Sequence, residues 1–158
     1  MKFLSVPFFC ILLLGIGATE GFAKKKPAVA QKGITKNAGI ILARNSLIAL
    51  NNANLTGNYT TFRDLSAPAF QTRNNAAQLS LIFTKIRRLN MNLAPIVLFN
   101  PVFTKPPNIT NKGFLQLAGY FPTKPIQINF ALTYQKVSSR WRLFGISVVP
   151  VNAAKKKK

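Results

Sequence analysis

Apolar positions recur with helical spacing between residues 37 and 54. Ile40, Ala43, Leu47 and Leu50 share one stripe with Asn54, and Ile41, Ile48 and Leu55 lie beside it, as on a helix that buries one face. Gly57 is placed to end this helix in a left-handed turn. Asn58 is the expected N-cap of a short second helix over about 59–66, because its side-chain oxygen can accept a free backbone N–H. Tyr59, Phe62 and Leu65 would face inward. Pro68 is expected to stop this helix, since proline disfavours the helical conformation in the residue before it. Asn74 or Asn75 caps a third helix over about 76–89, with Leu79, Ile82, Phe83, Ile86 and Leu89 as its apolar stripe. Lys85, Arg87 and Arg88 fall mostly on the other side, as a solvated face.

After Asn90 the period changes to two. Residues 95–103 are strand-like, but Pro101 makes them an edge strand or a bulge, because proline cannot donate to a ladder. Residues 104–112, with Pro106-Pro107-Asn108, are expected to be a loop, 113–121 a strand and 122–125 a turn. In 126–136, Ile126, Ile128, Phe130, Leu132 and Tyr134 alternate with polar or small residues, the pattern of a strand with one buried face. Val137-Ser138-Ser139 closes a hairpin into 140–151. The isolated Gly113, Gly119 and Gly145 mark bends. The expected fold class is α+β, with three N-terminal helices packed on one face of a curved antiparallel sheet of about four to five strands.

The first residues have a separate logic. Met1-Lys2 is followed by an apolar run over 3–18 and by Gly21-Phe22-Ala23, the three parts of a secretory signal peptide. Cleavage is expected between Ala23 and Lys24. The run is shorter than the roughly 20 residues of a membrane span and is broken by Pro7. The sole cysteine, Cys10, lies within it, so the processed chain would have no disulfide or thiol chemistry. Residues 24–36 form a basic, disordered leader, 37–152 one domain, and 153–158 a lysine-rich, disordered tail. The protein is expected to be exported, to the periplasm or beyond.

Charge narrows the chemistry. The chain has 22 Lys and Arg against two acidic residues, Glu20 and Asp64, and no His. One carboxylate in the body, with no His or Cys, cannot complete a zinc or calcium shell, so no metal or other cofactor is expected. Asp64 is the only weak catalytic candidate, and it sits beside Arg63 among many cations. Three Asn-x-Thr triplets, at Asn54, Asn58 and Asn108, are taken as chance in an Asn-rich bacterial chain.

Two segments carry a family resemblance. ALNNANLTGNYTTFRDLSAPAF (49–70) resembles the first helix pair of the nuclear transport factor 2-like (SnoaL-like, cystatin-like α+β) superfamily, with its "G-[ND]-Y" connection and "P-x-F" exit. KVSSRWRLFGISVVPV (136–151) is similar to the last hairpin of that superfamily, here with Trp141, Arg142, Leu143, Ile146 and Val148. The resemblance covers about 38–151 and implies a cone-shaped fold enclosing an apolar cleft. It specifies a fold far more than a function. Catalytic members of the superfamily use an Asp or Asp/His pair in that cleft, and exported bacterial members are often simple binding domains. Dimers through the sheet are common among them, so a monomer or a homodimer is expected.

The leading expectation is a non-enzymatic exported domain that binds a small apolar ligand or a protein partner. Candidate lining residues are Phe83, Phe99, Tyr120, Phe130, Tyr134 and Trp141, with Phe114 and Phe144. Tyr134 and Trp141 are preferred because each has a polar atom that needs a partner when buried. A second expectation is attachment to an anionic membrane surface or lipopolysaccharide through Lys155, Lys156, Lys157, Lys158, Arg140 and Arg142, each worth about 1 kcal/mol at such a surface. Export argues against nucleic acid. The basic excess can also serve solubility alone. The third expectation is an isomerase- or hydratase-type enzyme that uses Asp64.

Overall fold

The computed structural model describes residues 33–152. The expected signal peptide with its Ala23/Lys24 cleavage site, most of the leader, and the tail with Lys155 to Lys158 lie outside the described residues. Within them the protein is α+β, with five α-helices followed by an antiparallel sheet of five strands.

Helix α1 (Lys36–Thr56) starts where the Thr35 hydroxyl accepts the Ala38 N–H at 3.2 Å and ends at Gly57, whose φ of 71° is left-handed. Ala43, Leu47 and Leu50 on its stripe are fully buried. Helix α2 (Thr60–Asp64) follows with Tyr59, not Asn58, at its N-cap and no side-chain cap; the Asn58 side-chain oxygen accepts the Thr60 N–H at 2.9 Å from one residue further out. Tyr59 and Phe62 are buried, but Leu65 is exposed. Pro68 corrects the sequence reading. Ala67 is extended, as a residue before proline should be, yet Pro68 then occupies the first turn of a further helix, α3 (Pro68–Arg73), where its missing N–H costs nothing. The expected third helix is two, α4 (Ala76–Ile82) and α5 (Thr84–Arg88), hinged at Phe83. Asn75 and Gln78 form a reciprocal capping box at its start. Leu79, Phe83 and Ile86 enter the core, whereas Ile82 and Leu89 are exposed.

The expected strand over 95–103 is mostly absent. Residues Ala94–Leu98 form a 3-10 turn with Pro95 in its first positions, and only Ile96 of the run is fully buried. The first two strands, β1 (Val102–Phe103) and β2 (Asn108–Ile109), both pair with β3 (Leu115–Phe121). They act as one edge strand interrupted at Pro106-Pro107, which cannot donate ladder hydrogen bonds. The edge position expected for this segment holds, and β2 lies in what was expected to be loop. Strands β4 (Ile126–Val137) and β5 (Arg140–Asn152) complete the sheet in the order β1-β3-β4-β5. Ser138 and Ser139, both at positive φ, make the two-residue turn between them, the turn whose twist matches paired strands.

A register shift in β5 decides which side chains meet the helices. Thr133 pairs with Gly145 but Tyr134 pairs with Leu143, so Phe144 is the extra residue of a bulge. Both Leu143 and Ile146 therefore reach the core, although three-residue spacing would put them on opposite faces of a regular strand. At Gly119 a Cβ would collide with the Val102 carbonyl oxygen and crowd the Phe103 Cα at 3.0 Å, so glycine is what lets β1 lie against β3. The core forms where Leu115, Leu117, Phe121, Ile128, Phe130, Leu132 and Tyr134 of one sheet face meet the helices.

Candidate functional site

The sheet face at the β4–β5 turn end is not fully covered. Leu42, Asn45, Ser46, Ala49, Asn52, Ala53 and Thr56 recur at three- and four-residue steps along α1 and line a cleft of about 710 Å³. The volume falls in the usual range for small-molecule pockets, about 300–1,000 Å³. Small residues at 46, 49 and 53 leave the space that larger ones would fill. Asn58, Thr61, Phe62, Leu65 and Ser66 make the opposite wall, and Tyr134, Trp141 and Leu143 make the sheet side. No Lys, Arg, Asp or Glu is among these residues, in a chain of net charge +20.

Tyr134 is buried, and its hydroxyl ties the sheet to α1. It donates to the Leu42 carbonyl at 2.9 Å and accepts from the Ser46 hydroxyl at 2.9 Å. Burial pushes its pKa well above the ordinary tyrosine value, against a smaller opposing effect of the Ser46 hydrogen bond. It is a neutral donor already in use. Trp141, half-buried, is the chain's single tryptophan. The carboxamides of Asn45 and Asn52 are exposed on one stripe of α1, two turns or about 10 Å apart along the axis.

Of the residues expected to line a cleft, the structure brings together Tyr134 and Trp141. Phe83 stands one layer behind, stacked on Tyr59 at 5.9 Å and edge-on to the cleft residue Phe62 at 6.0 Å. Phe130 is buried against Phe103 and Phe121. Phe99 is half-buried, and its carbonyl accepts from Arg44 at 2.6 Å. Tyr120 pairs in register with Asn129 and is half-buried, alternating with the core residues Leu117 and Phe121. Phe114 and Phe144 pack on each other at 4.7 Å beside a second hollow of about 400 Å³ that also touches Gln116 and Thr133. The polar helical wall escaped the sequence reading. Its signal was the small and amide residues recurring beside the apolar stripe of α1.

Asp64 lines neither hollow. Its carboxylate accepts from Arg63 at 3.0 Å and is about half exposed. Arg142 is also committed, donating to the backbone carbonyls of Asp64 and Leu65. Arg140 is exposed beside the β4–β5 turn. Among the described residues no three His, Cys, Asp or Glu side chains cluster, and no helix is long and apolar enough to cross a membrane. Comparison with protein-family models, curated proteins and solved structures finds no match to this chain.

Proposed function

We propose that this protein is a nuclear transport factor 2-like domain whose cleft binds a small, uncharged ligand with an apolar body. The observation that carries the reading is the absence of charge from the cleft of so basic a chain. A charged ligand would leave water for a site with no counter-charge, which is costly. Leu42, Ala49, Ala53, Phe62, Trp141 and Leu143 supply apolar surface, and Asn45, Asn52, Asn58 and Thr61 supply hydrogen bonds at its edge. The groups that would meet the ligand are amides, hydroxyls and an indole, none of which gains or loses a proton near neutral pH. Binding is therefore favoured over acid–base turnover. An Asp64 enzyme would need that carboxylate to leave Arg63 and enter the cleft.

Trp141 provides the assay, since a ligand in the cleft touches the only indole in the chain. The neutral fluorophore N-phenyl-1-naphthylamine should quench Trp141 emission saturably. Its affinity should vary less than about twofold as salt rises from about 0.05 to 0.5 M, because screening acts on charges. Ala49→Phe fills the cleft and should weaken binding by at least about tenfold at unchanged melting temperature. Equal binding by the stably folded Ala49→Phe protein, or an affinity that collapses with salt, would overturn the reading.

A further inference from the structure

We infer that the outward side of α4–α5 docks the protein on an anionic lipid surface. The break between α4 and α5 at Phe83 lets Leu79, Phe83 and Ile86 enter the core while Leu81, Ile82, Lys85, Arg88 and Leu89 stay exposed. Leu81 is 75% exposed, Ile82 59% and Leu89 57%. A helix on a protein surface ordinarily shows solvent a polar face. Here the outer side carries Leu81, Ile82 and Leu89 beside Lys85, Arg88 and the neutral Gln78.

The charges select the partner. Arg87, in the same run, turns away, donating to the Ser80 hydroxyl at 2.7 Å and lying over the Tyr59 ring at 5.7 Å. Lys85 and Arg88 are exposed, and the one described carboxylate, Asp64, is paired with Arg63. A second copy docked through this face under two-fold symmetry would bring two copies of one patch together, adding Lys85 and Arg88 from each side and no described carboxylate to offset them. An anionic bilayer surface satisfies both kinds of residue. Leucine and isoleucine side chains enter below the headgroups, while the cations stay at phosphate level on long flexible stems.

The test uses the chain from Lys24 onward, which contains all the described residues, 33–152. Its partition is measured by co-sedimentation with phosphatidylcholine vesicles, with and without about one-third phosphatidylglycerol. The anionic vesicles should bind at least about tenfold more protein at equal lipid. Leu81→Ser with Leu89→Ser leaves the net charge unchanged, so attraction by the other cations is preserved. The proposal expects that double variant to lose at least about tenfold in partition, and Lys85→Gln with Arg88→Gln to lose a similar factor. All four side chains are exposed, so unchanged circular dichroism and melting temperature are expected. Wild-type binding by the folded leucine variant would reduce the effect to charge alone and overturn the proposal. So would a dimer in sedimentation equilibrium that the leucine changes dissociate while vesicle binding persists, because the face would then belong to a second copy.

Discussion

Replacing Tyr134 by Phe tests how the sheet holds α1, and it should reverse sign with pH. The hydroxyl makes two hydrogen bonds, to the Leu42 carbonyl and from the Ser46 hydroxyl. Each has a net worth of about 1 kcal/mol. The full loss of about 2 kcal/mol should not appear, because Ser46 lies four residues after Leu42 and its freed hydroxyl can turn to that carbonyl. The expected cost near pH 8 is about 1 kcal/mol, or roughly 4 °C in melting temperature. High pH works the other way. Burial raises the Tyr134 pKa above its unfolded value near 10, so the stabilisation is intact below about pH 10 and is lost as pH rises from there toward the folded pKa. Each unit above 10 removes up to about 1.4 kcal/mol from the wild type and nothing from the Phe variant. The two proteins should converge near pH 11, and the variant should then become the more stable. Tyr59, whose pKa burial also raises against the opposing effect of Arg87, is present in both proteins and cancels in the difference. Urea denaturation of both between about pH 8 and 11 reads this directly. A stability gap that stays constant over that range would refute the reasoning.

Two further substitutions separate charge from architecture. Arg63 donates to the Asn74 carbonyl at 3.0 Å and the Gln71 carbonyl at 3.2 Å as well as to Asp64. Arg63→Met should therefore cost about 1–3 kcal/mol in urea denaturation, whereas Asp64→Asn should cost less than about 1 kcal/mol, as exposed pairs do; the opposite order would give the carboxylate a role beyond this pair. Gly119→Ala should cost at least about 2 kcal/mol and release β1, seen as faster hydrogen exchange at the Thr104 N–H, which donates to the Ala118 carbonyl at 2.9 Å; unchanged exchange would mean that β1 shifts without detaching.

Periodicity carried the elements whose two sides differ most. Strand β4 alternates along nearly its whole length, and α1 buries the stripe expected of it. The misreadings fall where one signal serves two structures. Pro68 disfavours a helix at Ala67 but suits the first turn of the next one, so it opens α3 after α2 has already ended at Asp64. The run at 95–98 is apolar without a period, and such a run does not distinguish a strand from a helical turn. Ile82 and Leu89 looked inward because the stripe was counted on one continuous helix, and their exposure is what the lipid proposal rests on. At the cleft, Tyr134 and Trp141 were legible because a buried polar atom demands a partner. Asn45, Ser46 and Asn52 were not, because polar residues beside an apolar stripe look like an ordinary wet face until a wall stands opposite them.

The scarcity of acid has a structural consequence that the net charge hides. With one described carboxylate, the arginines find other acceptors. Arg44 donates to the Phe99 carbonyl, Arg63 to those of Gln71 and Asn74, Arg73 to that of Ala69, and Arg142 to those of Asp64 and Leu65. The Asp64, Leu65, Gln71 and Asn74 carbonyls lie at or near the ends of α2 and α3, where helix carbonyls are left without partners and carry partial negative charge. A planar guanidinium with five donors can bridge two of them, which an ammonium does less well. Arginine-to-lysine changes at 63 and 142 should thus cost stability, although charge is conserved. Among the described residues, Arg63 and Arg142 are therefore occupied with holding short helices in place. Lys85, Arg88 and Arg140 are among the described cations left exposed for an anionic surface, and where such cations stand matters more than how many there are. Lys85 and Arg88 stand beside exposed leucine and isoleucine, and a diffuse polyanion attraction would have no use for that arrangement.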